Sequence, residues 1–170
     1  MAAIETIITA PPTLPSRFVS SEYDRFMFFD FFVRESGNFF EKIQNSVGRN
    51  SDLSLYDPNS LQLLGEFNLT ENWSTKLKIL NDELMKNGNP FGLVVLPDDQ
   101  RWVMIQDLPV NLGVLAFRHS DAEVVDAFEA LRGDWLVSID DFVRAAHDPT
   151  SDLNDILDED FIKQISSNYG

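Results

Sequence analysis

The chain reads as an α+β protein: one domain with a three- or four-stranded, mainly antiparallel sheet covered by helices. Three observations predict this. Residues 91–118, "FGLVVLPDDQRWVMIQDLPVNLGVLAFR", hold three short apolar runs separated by "PDDQ" and "DLPVN", and Pro and Asp supply the turn chemistry of a meander. Segments of helical period with capping residues flank that stretch on both sides. At 170 residues, with 44% hydrophobic and 24% charged, the chain is long enough to bury a core without cross-links and has the balance of a folded protein.

The elements follow in order. Residues 1–20, with "APPTLP", read as an extended lead-in, and residues 21–170 as the α+β domain. "SSEYDRFMFFDFFVRESGN" reads as a helix: Ser21 and Asp24 resemble a capping box, and Gly37 sits where a helix-ending glycine belongs. A buried strand competes, because aromatic residues also favour sheets. Asn38 then caps a second helix, "FFEKIQNSV", closed by Gly48. Residues 25–40 contain seven of the fourteen phenylalanines, enough to surround the first helix and make it central or two-sided. "SLYDPNS" reads as a loop, and "LQLLGEFNL" as a strand or a helical turn. "TENWSTKLKILNDELMKNG" is the clearest helix, capped by Thr70 and ended by Gly88, with Trp73, Leu77, Leu80 and Leu84 on one stripe.

Both faces of the three-stranded meander are apolar, so cover is expected on both sides. In "HSDAEVVDAFEALRG", Ser120 and Glu123 form a capping box, Gly133 closes the helix, and Val124, Phe128 and Leu131 face inward. "DWLVSI" reads as a fourth strand, parallel to the third by a right-handed crossover. "DDFVRAAHD" and "DLNDILDEDFIKQISS" complete the chain as two helices, the last burying Leu153, Leu157, Phe161 and Ile165.

Charge is the most distinctive total. There are 28 acidic and 13 basic residues, a formal net charge of −15, and residues 121–170 alone carry 13 acids against 3 bases. Such a chain repels phosphate backbones and anionic lipid surfaces, so neither nucleic acid nor a membrane is an expected partner. The N-terminus lacks the basic region and apolar run of a signal peptide, and no run of about 18 apolar residues is present to span a bilayer, so a cytoplasmic protein is expected. The absence of cysteine removes disulfides, thiolate metal sites and a cysteine nucleophile.

Catalytic signals are missing. There is no glycine-rich phosphate loop and no nucleophile elbow, and His119 and His147 stand 28 residues apart without a partner motif. Asp98–Asp99 and Asp140–Asp141 are adjacent pairs whose side chains diverge, and "DLNDILDED" lacks the glycine and ligand alternation of a calcium loop. No enzyme, metal or cofactor is therefore expected, a carboxylate-dependent hydrolase being the remaining enzymatic alternative.

The positive signal is a series of acidic clusters. Asp121, Glu123, Asp126 and Glu129 come first, followed by Asp140 and Asp141, then Asp148 and Asp152, then Asp155, Asp158, Glu159 and Asp160. Like charges held together cost stability, and a surface that tolerates this is suited to a basic partner; each run is equally what a solvated helix face looks like. The sequence thus predicts an acidic protein-binding domain that neutralises a basic partner, such as a bacterial immunity protein facing a nuclease-type toxin. The alternative is a secretion chaperone or adaptor that works through aromatic surface, with a homodimer formed by the Phe-rich helices.

Overall fold

The computed structural model describes residues 4–47, 51–68, 70–89, 92–106 and 112–170. Its centre is one antiparallel sheet of seven strands in the order β3-β2-β4-β5-β6-β1-β7. The strands are β1 (Arg25–Phe29), β2 (Leu53–Tyr56), β3 (Leu63–Phe67), β4 (Val94–Pro97), β5 (Trp102–Gln106), β6 (Gly113–Phe117) and β7 (Val137–Ser138). The helices are α1 (Ile4–Ile7), α2 (Gly37–Ser46), α3 (Trp73–Lys86), α4 (Ala122–Glu129), α5 (Ile139–Ala146), α6 (Asp152–Ile156) and α7 (Glu159–Tyr169). Mixed helix and strand, as predicted, is what forms, but the strand count of three or four is too low.

The β4–β5–β6 meander forms as predicted, with Val94 opposite Ile105 and Met104 opposite Leu115. Its side chains alternate between two buried faces. Val95, Met104, Leu115 and Phe117 point into one core with α2, α3 and α4, whereas Val94, Val103, Ile105 and Val114 point into the other with α5 and α7. The turn predicted over "DLPVN" (107–111) and the closing Gly48 of the second helix lie outside the described residues.

The Phe-rich segment corrects the sequence reading most. It is not a helix but β1, paired along its whole length with β6, Phe29 opposite Gly113, and then joined by a 3₁₀ turn (Val33–Glu35) to α2. Burial on both faces erases the two-residue alternation by which a strand is normally recognised, and the pairing partner lies far along the chain. Phe28 goes to one core, where it stacks on Phe142 (5.0 Å, 18° between planes) and meets Tyr169 edge-on. Phe29 goes to the other, against Phe31 and Phe39. Each fully buried phenylalanine contributes about 2–3 kcal/mol of transfer free energy. Gly113 is required here, because the ring of Phe29 occupies the space a Cβ would need. Past β1 the chain is held by Gln106, which accepts from the Val33 N–H (2.8 Å) and donates to the Phe31 carbonyl (2.6 Å). The first of the two Phe-rich helices expected to support a homodimer is therefore not formed, and in α2 both Phe39 and Phe40 are fully buried.

Gly37 begins α2 rather than ending a helix; a Cβ there would strike Ser74 Oγ, so the glycine lets α2 and α3 approach closely. "SLYDPNS" and "LQLLGEFNL" become the β2–β3 hairpin. Asp57 orders its turn by accepting from the backbone N–H groups of Asn59 (3.0 Å) and Ser60 (2.9 Å). α3 buries Trp73, Leu77, Leu80 and Leu84 as predicted, though Asn72 caps it, through Thr75 N–H, in place of Thr70. Gly88 follows it at φ +70°, the left-handed conformation that ends helices.

Of the stretch read as an extended lead-in, Ile4–Ile7 form α1 and the remainder to residue 20 packs against the domain without further helix or strand. Ile4, Ile7, Ile8, Leu14 and Phe18 are buried in the core beneath α5 and α7. The C-terminal helix ties them down, Tyr169 Oη donating to Ser16 O (2.6 Å) and Asn168 Nδ2 to Pro15 O (2.8 Å). At the other end, β7 is only two residues long and pairs antiparallel with β1, which is inserted between it and β6. β7 therefore runs parallel to β6, the third meander strand, as predicted, with β1 lying between them. The last predicted helix is also two. Leu157 is extended, Asp158 recaps the chain by accepting from Phe161 N–H (2.7 Å), and the buried stripe moves to Ile162, Ile165 and Tyr169. Among the described residues, no helix is long and apolar enough to cross a membrane.

Candidate functional site

The predicted acidic residues divide between the two helical layers. α4, with Asp121, Glu123, Asp126 and Glu129, covers the face shared with α2 and α3 through Val124 and Phe128. α5, α6 and α7 cover the opposite face, and with them go Asp140, Asp141, Asp148, Asp152, Asp155, Asp158, Glu159 and Asp160. The four clusters do not form one helical layer; the last three do.

They divide again by what neutralises them. Arg101, at the start of β5, donates from Nε (2.6 Å) and Nη2 (2.5 Å) to both carboxylate oxygens of Asp121, and from Nη2 (2.8 Å) to Glu123. The Arg101 hydrogen bonds hold the Asp121 carboxyl below its usual range against the opposing effect of burial, and Asp121 raises Arg101 in return. Asp121 also caps α4, replacing the predicted Ser120. This acid pair is a brace between a strand and a helix, and Arg101 was not identifiable as its partner because the three residues meet only in the folded chain. Glu129 is near Arg132 (3.5 Å).

Asp141 is similarly committed. Arg132 (2.7 Å), Ser138 Oγ (2.7 Å) and Arg144 (3.0 Å) all donate to it, and the Arg132 contact is the main reason its carboxyl lies below the ordinary value. The Arg132–Asp141 pair links the end of α4 to the start of α5 around the short β7. Glu159 pairs with Lys163 along α7 (3.5 Å). These contacts use all three basic residues of the C-terminal third.

What remains is a set of exposed carboxylates with no ion pair among the described residues: Asp140, Asp148, Asp152, Asp155, Asp158 and Asp160 on α5–α7 and their connections. Two of them serve the backbone. Asp148 accepts from Thr150 N–H (2.8 Å) and hydroxyl (2.7 Å), which lowers its carboxyl pKa, and Asp158 caps α7. Asp140, Asp152, Asp155 and Asp160 face solvent alone. Asp126, on the other layer, is exposed as well.

Beside this layer lies a cleft of about 470 Å³ at the junction of β1, β7, α5 and α6, its wall including Phe28, Trp135, Val137 and Phe142 and its acids Asp30, Asp141 and Asp152. Asp30 carries a signal the sequence does show, being the one charge inside the aromatic run of residues 26–33. Trp135 is half-buried, packed edge-on to Phe31 (5.5 Å) and tilted against Phe39 (5.8 Å).

The histidines play local parts. His119 lies against Asp24, whose carboxyl falls below its ordinary range because hydrogen bonds from the His119 backbone and ring outweigh the cost of burial. His147 Nδ1 meets the Val143 carbonyl (2.8 Å) at the end of α5. Among the described residues, no three His, Asp or Glu side chains converge as a metal ion would require. Comparison with family models, curated proteins and solved structures finds no match for this chain.

Proposed function

We propose that the protein binds a basic protein through the α5–α7 layer and neutralises it, in the manner of a bacterial immunity protein facing a nuclease-type toxin. The observation that carries this reading is the uncompensated charge of that layer: every basic residue within the C-terminal third is already engaged with an acid, yet Asp140, Asp152, Asp155 and Asp160 stand exposed without one. Mutual repulsion of such groups is unfavourable in the free protein and is relieved when a cationic surface docks. The formal net charge of −15 extends the attraction beyond contact distance and speeds encounter.

The aromatic-surface alternative receives less support. A chaperone working through the Phe-rich segment needs those rings exposed, but Phe28 and Phe29 are buried in opposite cores, and Phe26, Phe31 and Phe32 are half-buried.

The test is capture of basic proteins from the source cell's lysate, followed by binding kinetics with the purified partner. Wild type is compared with a variant carrying Asp140→Asn, Asp155→Asn and Asp160→Asn. The reading requires one cationic protein bound by wild type at low salt, with the variant associating at least tenfold more slowly. Equal association by both would remove it.

A further inference from the structure

The geometry points to the cleft between β1, β7, α5 and α6 as the receptor for a single arginine side chain of the basic partner. This inference rests on the reading above and names the contact that anchors it.

The cleft joins three features that a guanidinium on an apolar stem requires. Its floor is apolar and rigid, because Phe28 and Phe142, 0% and 2% exposed, are stacked on one another across the sheet–helix interface. Its rim carries two carboxylates, Asp30 at the end of β1 and Asp152 at the start of α6, both exposed and neither in an ion pair among the described residues. Asp141, the third acid of the wall, is already held by Arg132 and Arg144. Its remaining wall includes Trp135 and Ile156, and Ile156, at 64%, is the most exposed large hydrophobic side chain described.

An exposed isoleucine beside unneutralised acids suits neither a purely apolar ligand, which leaves the carboxylates desolvated, nor a free ion, which leaves the apolar wall wet. Arginine satisfies both. Its methylenes lie along Ile156 and the floor while its planar head meets carboxylate oxygens and an indole ring. Lysine offers the charge without the planar stacking, so a preference for arginine is expected.

Trp135 supplies the readout. Trp73 and Trp102 are buried, at 1% and 3%, so a change in fluorescence on adding a small ligand reports chiefly on Trp135. The protein is titrated with the peptide Gly-Gly-Arg-Gly-Gly, with its lysine and citrulline counterparts as controls. Citrulline keeps the shape of arginine and loses the charge. A saturable response to the arginine peptide is expected on the order of millimolar, as befits one side chain. The response should be weaker for lysine, absent for citrulline and absent in Trp135→Phe, and Asp30→Asn with Asp152→Asn should weaken binding at least tenfold. Both aspartates are exposed, so the double variant should fold, and its unchanged near-ultraviolet circular dichroism confirms that.

No saturable response, an equal response to citrulline, or full binding by the double variant would overturn the inference. Failure here is separable from failure of the proposed function. If a basic partner still associates in a manner that depends on Asp140, Asp155 and Asp160, the cleft assignment falls and the reading stands. If the arginine peptide binds as described but no protein partner shows that dependence, the cleft stands and the reading falls.

Discussion

On one face of the sheet, α3 interleaves Lys76, Lys78 and Lys86 with Asp82 and Glu83, Lys76 closes on Glu71 (2.7 Å), and the acids that begin α4 are gripped by Arg101. On the other face, α5–α7 carry two basic residues, both spent on Asp141 and Glu159, and leave a row of carboxylates facing solvent. Beneath these surfaces the two layers are built alike, each setting large aromatic and aliphatic side chains into the same two-faced sheet. Under the proposed function, the difference separates acids that brace the fold from acids left for a partner. Packing holds both layers in place, whereas basic residues are interleaved with the acids of the first and most of the exposed acids of the second have no ion pair among the described residues.

The similarity can be broken by removing a ring from either side. Phe39→Ala beneath α2 and Phe142→Ala beneath α5 should each cost about 3–5 kcal/mol, since both side chains are fully enclosed and leave cavities. Urea unfolding measures both. A loss below about 1 kcal/mol at Phe142 would mean that the α5–α7 layer is loosely attached and the two cores are not equivalent.

The charge difference gives the next largest effect. Asp121→Ala removes a helix cap and the partner of Arg101 together, and should destabilise by about 1–2 kcal/mol. Asp155→Asn, exposed and unpaired, should change stability by less than about 0.5 kcal/mol. Thermal or chemical unfolding of the pair decides this, and a larger loss at Asp155 would reverse the assignment of structural and functional acids.

Acid sharpens the same contrast. The folded carboxyls of Asp121 and Asp141 lie below their ordinary value, so their contribution is full above the unfolded pKa, near 4, and is lost as pH falls below it through the folded values. The stability gap between wild type and Asp121→Asn should therefore be present at pH 7 and shrink progressively as pH falls below the ordinary carboxylate value, near 4. A gap that widens on acidification would contradict the Arg101 brace. The smallest effect expected is that of salt: screening repulsion among the α5–α7 carboxylates should raise the midpoint of thermal unfolding slightly, and less so in the Asp140, Asp155 and Asp160 triple variant.

Local signals carried much of this fold. The α3 stripe from Trp73 to Leu84, the meander and the inward residues of α4 are readable because period and capping agree over short spans. β1 was hidden for a physical reason: Ser21, Asp24 and Gly37 imitate helix punctuation, but Asp24 binds His119 and Gly37 admits Ser74. Both jobs are set by partners distant in sequence. The split between α6 and α7 was hidden by the regular spacing of Leu153, Leu157, Phe161 and Ile165, which predicts a continuous helix until Asp158 is seen to recap the chain. For the candidate site, the acidic residues themselves were plain in the sequence, but which of them are neutralised depended on Arg101, Arg132 and Arg144 finding them in space. The cleft was not legible, because Asp30, Trp135 and Asp152 come from three elements of different reading.

The central claim is that the uncompensated α5–α7 layer draws in a basic protein, and the association rate constant as a function of ionic strength tests it most directly. With the purified partner, the rate should fall steeply between low and moderate salt, and in the Asp140, Asp155 and Asp160 triple variant it should start at least tenfold lower with a shallower slope. A rate indifferent to salt, or an identical salt dependence in wild type and variant, would contradict the account.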